Sequence, residues 1–333
     1  MDDVFKGISE DPIDPAILNG LRAAIDVGTN TVLLLVAKVE DGKINVIDEL
    51  DRMPRLGKGV DGTGNLDYDS MIRTITVLIE YRDYIVEKYG VIPVLLTGTS
   101  AVRDAKNRIE FLRLIEESTG YRLRILSPTE EAVVTYKGAL SMMFLGSKNV
   151  EPDSHHEYVV IDIGGGSTEI AIGKKYSDPH TYFSMDMGSV RFTERFLGDC
   201  PPQLESTDLL QVEIRRQLQN VAVDQYTVGP IIGIGVAGTA MVIWRLINKL
   251  ENIDSSSFRA KISLIEIDHL IEQLRVMNIH QILELNPDLL RGRSDIILAG
   301  SYILQAVMKA MRLKEIQVSS GGVRHGSLLT YLY

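Results

Sequence analysis

Ala24-Ile25-Asp26-Val27-Gly28-Thr29-Asn30-Thr31 runs into the apolar stretch Val32-Leu33-Leu34-Leu35-Val36-Ala37, and the chain later repeats the arrangement. The second version is Val160-Ile161-Asp162-Ile163-Gly164-Gly165-Gly166-Ser167, running into Thr168-Glu169-Ile170-Ala171-Ile172-Gly173. Each reads as an apolar strand with an aspartate near its end, a tight turn of small residues, and a second apolar strand. Gly, Asn and Ser at the tip suit a hairpin. Two such hairpins a domain's length apart predict a duplicated fold, and a repeat of this size sets the architecture.

Strand and helix patterns alternate around the two hairpins. Helical spacing covers Asp69–Lys88, with Gly90 closing it. A strand is expected at Ile92–Thr97, a helix at Arg108–Ser118 and a strand at Arg122–Leu126. After the second hairpin come helices near Gly188–Phe196 and Thr207–Val223, a strand at Pro230–Gly235 and a helix from Thr239 to Lys249. Ser263-Leu264-Ile265-Glu266 has the form of a capping box. A helix over Ser294–Met311, a strand over Glu315–Ser319 and a helix from Gly322 complete the chain. This is an α/β pattern, with sheets covered by helices. The boundary between the halves is expected between Leu126 and Glu157, with Gly146–His156 as a loop.

The bulk numbers fit a globular protein large enough for two cores: 333 residues, 45% hydrophobic and 24% charged. A net charge of -10 and the lack of a long basic run exclude a nucleic-acid duplex as the expected partner. A net-negative protein that binds a polyanion needs local donors and a cation. The single cysteine, Cys200, rules out an intrachain disulfide and suggests a reducing compartment. The acidic segment Met1–Pro15 is neither a signal nor a transit peptide. Runs such as Thr31–Ala37 and Pro230–Ala237 fall far short of the roughly 20 apolar residues of a spanning helix. A cytoplasmic protein with no membrane partner is expected.

The chemistry concentrates at the turns. Asp26 and Asp162 could cap their own backbone or, facing one another, hold Mg²⁺ while free turn amides bind phosphate. Gly28, Thr29, Asn30 and Thr31 form one such turn; Gly164, Gly165, Gly166 and Ser167 form the other. Glu169 interrupts an apolar strand where the first copy has Leu33. It needs solvent, a partner or a metal held through water. In Ser127-Pro128-Thr129-Glu130-Glu131-Ala132, Ser127 and Glu130 form a capping box with Pro128 at the first helical position. Glu131 is left without a structural task. It either favours the positive helix end in solvent or accepts a proton from water attacking phosphorus.

Three more strand-to-helix junctions are rich in small residues, as an anion cradle requires. Thr97–Asp104 carries Arg103, either a phosphate clamp or a surface partner of Asp104 or Glu110. Arg55 and Lys58 have a similar standing. Gly235–Thr239 offers Gly238 and Thr239, and Ser319–Arg324 repeats the theme. His155-His156 are adjacent and make a poor zinc pair. No P-loop and no nucleophile elbow is present.

Taken in order, the Asp26–Thr31 turn, Arg103, Glu130-Glu131-Ala132, Asp162–Glu169, Met187-Gly188-Ser189-Val190-Arg191, Gly238-Thr239, Asp295–Gly300 and Gly321-Gly322-Val323-Arg324 resemble the exopolyphosphatase and guanosine pentaphosphate phosphohydrolase family, from about Leu21 to the end. The resemblance implies two ribonuclease-H-like domains of the actin, sugar-kinase and heat-shock ATPase fold around a cleft. These would span residues 21–135 and 136–333, after an acidic extension at 1–20. It implies Mg²⁺-dependent removal of terminal phosphate from inorganic polyphosphate or guanosine pentaphosphate. Glu131 matches the general base, Asp162 and Glu169 the acidic positions tied to metal and water, and Arg103 with Gly164–Ser167 the phosphate-binding positions. A homodimer is the expected assembly, and guanosine tetraphosphate a candidate inhibitor. The sequence departs from the family pattern at Thr29-Asn30-Thr31, usually Ser-Asn-Ser, at Gly321, often Asp, and at His325, often Glu. It also ends without the carboxyl-terminal helical domain of longer members, so a long processive groove is expected to be missing or supplied by a dimer. The alternatives are a kinase of the same fold and a non-catalytic alarmone sensor.

Overall fold

A computed structural model describes residues 20–331 apart from 41, 145–155, 176, 220, 222–229 and 249–259. All of the expected amino-terminal extension but Gly20, and most of the expected 146–156 loop, His155 included, lie outside the described residues.

The first hairpin pairs β1 (Leu21–Val27) with β2 (Val32–Glu40) antiparallel, and the register sets Asp26 opposite Leu33. The second pairs β6 (Glu157–Ile163) with β7 (Thr168–Gly173) and sets Asp162 opposite Glu169. The two sheets grow outward from these hairpins in the same way. In the first, β3 (Lys43–Arg52) adds antiparallel to β2, while β4 (Val94–Gly98) and then β5 (Leu123–Ile125) add parallel on the other side of β1, giving the order β3-β2-β1-β4-β5. In the second, β8 (Thr181–Met185) takes the place of β3, and β9 (Ile231–Val236) and β11 (Glu315–Val318) take those of β4 and β5. One extra edge strand, β10 (Lys261–Ser263), completes the order β10-β11-β9-β6-β7-β8. The chain thus has the expected pair of ribonuclease-H-like sheets. β3 had no apolar run to announce it. Only Ile44 is fully buried there, and charged residues occupy much of the strand.

Helices cover the sheets largely where the periodicity predicted, though those at Val60–Thr63, Ile279–Leu285 and Pro287–Leu290 were not expected. In the first half, α1 (Val60–Thr63) precedes α2 (Tyr68–Tyr89), which Asp67 caps through Ser70 N and Gly90 closes at φ 73°. α3 (Ser100–Asp104) and α4 (Arg108–Thr119) follow β4. α5 (Pro128–Met143) opens with the predicted Ser127–Glu130 capping box. In the second half, α6 (Ser189–Phe192) passes into a π-helical turn at Thr193–Leu197, followed by α7 (Leu204–Leu218) and α8 (Ala237–Ile247). The Ser263–Glu266 capping box opens α9 (Leu264–Leu274). Then come α10 (Ile279–Leu285), α11 (Pro287–Leu290), α12 (Ile297–Ala310) and α13 (Val323–Thr330).

The two halves exchange helices. α5 follows the first sheet but buries Tyr136, Ala139 and Leu140 against Tyr158, Val160 and Ala171 of the second. α13 follows the second sheet but buries Leu328 against Ala24, Leu35, Ala37 and Ile44 of the first. The expected division at 135/136 falls inside α5. Where α5 and α13 cross, glycines let the backbones touch. A Cβ on Gly138 would stand 2.1 Å from the Gly322 carbonyl oxygen, and one on Gly326 only 1.6 Å from that of Val134. Gly321 meets the Gly138 carbonyl in the same way, at 2.0 Å, so this crossing has no room for the side chain common in the family. His325 is fully enclosed, with neither ring nitrogen hydrogen-bonded and Glu49 at 3.7 Å.

Among the described residues, no helix is long and apolar enough to cross a membrane.

Candidate active site

The duplicated turns come together at one cavity between the sheets. Asp26, Gly28, Thr29, Asn30 and Thr31 line it from the first hairpin, and Asp162 and Gly164 to Ser167 from the second. The turns close identically: Gly28 N–H donates to Thr31 O and Gly164 N–H to Ser167 O, both at 3.0 Å. The glycine triplet has a reason beyond ligand access. A Cβ on Gly165 would lie 2.9 Å from Thr29 Cβ, and one on Gly166 2.4 Å from Ser100 Oγ. Only glycine lets the second turn reach this close to the first domain.

The other strand-to-helix junctions join them. Thr99 and Ser100 line the cavity after β4, Gly238 and Thr239 after β9, and Ser320 to Arg324 after β11. Thr239 Oγ1 is engaged with Ile163 O at 2.8 Å, so it braces the Asp162 strand end. Just before Gly238, Ala237 holds φ 60°, a left-handed backbone uncommon for a residue with a Cβ. Asn30 bridges the halves through Nδ2 to Gly292 O at 3.3 Å, and its buried Oδ1 has no hydrogen-bond partner.

Four buried carboxylates converge at the depth of this site. Thr97 Oγ1 donates to Asp26 at 3.3 Å, Thr135 Oγ1 to Asp162 at 3.4 Å, and Ser184 Oγ to Glu169 at 2.8 Å. Glu131 is 5% exposed and lines the cavity, and Arg103 Nη1 donates to it at 2.7 Å. The solvated reading of Glu131 is therefore excluded. Burial, with Glu131 nearby, pushes Asp26 up to about 7. Burial and the Glu131 charge push Asp162 upward as well. Burial, then Glu131 and Asp162, drives Glu169 well above the carboxylate range. Burial also raises Glu131, while the Arg103 guanidinium opposes the rise.

Such a cluster calls for cations. Among the described residues, no three His, Cys or carboxylate groups stand close enough to hold an ion by themselves. The donors are nonetheless anionic oxygens, which suit Mg²⁺. That ion keeps several waters and typically takes one or two carboxylates together with phosphate oxygens.

Four expected residues stand differently from their sequence reading. Arg103 is bound to Glu131 and, at 3.0 Å, to Leu126 O, so its fork is turned to the carboxylate. Glu169 lies behind Asp162 across the hairpin, off the cavity wall. Arg55 pairs with Asp295, and together with Lys58 it lines a neighbouring groove that also contains Cys200. Two cavity-lining cations were not assigned from sequence. Arg324 donates to Leu34 O at 2.8 Å and pairs with Glu49 at 3.1 Å. Arg293 lies by Gly238, and its nearest paired carboxylate, Asp51, is 3.9 Å away. Arg324 sat inside a recognised motif; Arg293 carried no local signal.

A model of the Ppx/GppA phosphatase family matches residues 35–333. The chain belongs to this family. Among Ppx/GppA relatives, it is 28% identical over 322 residues to "Exopolyphosphatase 2" of Mycobacterium tuberculosis, covering 92% of this chain and 97% of that protein. It is 27% identical over 317 residues to the guanosine-5'-triphosphate,3'-diphosphate pyrophosphatase of Vibrio cholerae, covering 93% of this chain but 59% of that protein. The solved structure of the Aquifex aeolicus PPX-GPPA enzyme superposes with a TM-score of 0.73 at 27% identity, covering 93% of this chain and 99% of that one. An exopolyphosphatase structure from Cytophaga hutchinsonii shares the fold, with a TM-score of 0.82 at 24% identity and coverage of 94% and 97%.

Proposed function

We propose that this Ppx/GppA phosphatase is a Mg²⁺-dependent phosphoanhydride hydrolase that releases the terminal phosphate of inorganic polyphosphate or of guanosine pentaphosphate. The observation that carries the reading is Glu131: a buried carboxylate on the first turn of α5, lining the cavity between two small-residue turns and oriented by a guanidinium.

Backbone amides of the turns at Thr29–Thr31 and Gly165–Ser167, past the turn-closing Gly28 and Gly164 amides, bind the terminal phosphates, with Gly238 at the third junction. Arg293 and Arg324 add positive charge at the wall, which a chain of net charge -10 needs to accept a polyanion. Asp162, with Glu169 behind it, would hold Mg²⁺, which when bound neutralises charge on the phosphate oxygens. Glu131 orients a water in line with the phosphoanhydride bond and takes its proton as the new P–O bond forms. The bridging P–O bond breaks, and the shortened chain leaves.

The test is phosphate release from both substrates, with and without Mg²⁺, by the wild type and by Glu131→Ala. Loss of release in the variant with binding retained supports the reading; near-wild-type release by Glu131→Ala overturns it. ADP formed from ATP only with an acceptor present would instead mark a kinase. Tight guanosine tetraphosphate binding without hydrolysis would mark a sensor.

A further inference from the structure

The guanidinium of Arg191, on α6, is bonded to three separate segments. Nε donates to Gly166 O at 2.7 Å, Nη1 to Asp61 Oδ1 at 2.8 Å and Nη2 to Asp104 Oδ2 at 2.5 Å. Gly166 belongs to the second phosphate turn. Asp61 lies in α1 and Asp104 ends α3, both in the first domain. The side chain is 14% exposed. Three directed bonds in one plane need a guanidinium; an ammonium cannot reproduce them.

We propose that Arg191 is a positioning residue of the hydrolytic reaction, fixing the second phosphate turn and the Arg103–Glu131 pair in the same closed arrangement of the two domains. The inference rests on the hydrolase reading above.

Two links carry it. In a trans peptide the C=O of Gly166 and the N–H of Ser167 point to opposite sides, so tying the carbonyl to Arg191 fixes the direction in which the Ser167 amide faces. The second link runs through Asp104. Its carboxylate lies 4.0 Å from Arg103 Nε and accepts from Ser100 Oγ at 3.4 Å. Arg103 therefore has two acidic neighbours, Glu131 at 2.7 Å and Asp104 at 4.0 Å. While Arg191 occupies Asp104, Arg103 stays with Glu131. Without Arg191, an uncompensated Asp104 draws Arg103 away from the base.

Arg195 separates this role from simple domain contact. It binds Asp61 as well, at 2.6 and 3.0 Å, but among the described residues its hydrogen bonds go only to that carboxylate. Its loss weakens the same interdomain contact without touching the turn or Asp104.

The experiment is steady-state phosphate release from long-chain polyphosphate with Mg²⁺. It compares wild type with Arg191→Gln, Arg191→Lys, Arg195→Gln, Asp104→Asn and the double variant Arg191→Gln/Asp104→Asn. The expected kcat loss is about thirtyfold or more for both Arg191 variants, with KM changed less than about fivefold, and less than about threefold for Arg195→Gln. The double variant should regain about tenfold over Arg191→Gln, because the competing carboxylate is gone. A merely structural ion pair would show its recovery in the melting temperature and leave the kcat of the folded variants near wild type. Wild-type kcat in a folded Arg191→Lys, or a double variant no better than Arg191→Gln, overturns the proposal while wild-type turnover leaves the hydrolase reading standing. Absence of phosphate release by the wild type from both polyphosphate and guanosine pentaphosphate overturns that reading and this inference with it.

Discussion

Arg103 and Glu131 form a partly buried ion pair across 2.7 Å, joining the end of β4's following helix to the first turn of α5. The guanidinium partly offsets the rise that burial imposes on the carboxyl. Arg103→Gln therefore raises Glu131 further, so a larger fraction of the base is protonated at neutral pH. The expected outcome is a fall in kcat of about 10- to 100-fold at pH 7, with partial recovery at higher pH. A kcat–pH profile for the two proteins checks this; an unshifted acid limb would show that Arg103 does not act on the base.

Asp26 gives a stability prediction with a definite sign. Its folded value, about 7, lies above the ordinary 3.8, so the folded protein holds this proton more tightly than the unfolded chain. The associated stability is complete below about pH 4 and is lost as pH rises toward 7. Asp26→Asn removes that loss. In metal-free protein the variant should melt higher than wild type at pH 8, by about 1–2 kcal/mol or roughly 2–6 °C, and the gain should vanish at pH 4. Melting curves at the two pH values decide it, and a lower melting point at pH 8 would count against an uncompensated buried charge.

His325 acts in the opposite direction. Burial, with Arg324 adjacent, depresses its value from 6.5 to about 3. Between those values the unfolded chain binds the proton and the folded one does not. Stability is thus complete above about pH 6.5 and falls as pH drops toward 3. His325→Leu, close in volume, should be more stable than wild type at pH 5 by up to about 2 kcal/mol and lose that advantage above pH 7. Urea midpoints at pH 5 and pH 7.5 provide the measurement.

The helix crossing predicts a sharp contrast between two glycines. A methyl on Gly326 would overlap the Val134 carbonyl, whereas one on Gly62, in α1, meets nothing within 4 Å. Gly326→Ala must push α5 and α13 apart and should cost at least about 1–3 kcal/mol, with loss of phosphate release. Gly62→Ala should change stability by less than about 1 kcal/mol. Equal denaturation midpoints for the two variants would mean that the crossing relaxes freely.

Much of this was written in the chain itself. The Asp26 and Asp162 hairpins were legible because strand, turn and strand are local patterns of apolar runs and small residues. The Ser127–Glu130 capping box was legible for the same reason, and it isolated Glu131 as the carboxylate without a local task. What the sequence left open was decided by contacts between residues far apart. Whether Glu131 faced solvent or the cleft depended on where α5 packs, and α5 lies on the second sheet. Arg103 turned to a carboxylate instead of a phosphate because α3 and α5 meet only in the folded chain. Arg293 had no readable signal, and Arg191 and His325 were noticed only as a motif member and a departure from a motif, with no role, since a side chain's partner across domains leaves no periodicity in its own segment. Local backbone preference thus determined the elements and the repeat, while burial and electrostatic pairing across the cleft decided which charges work together.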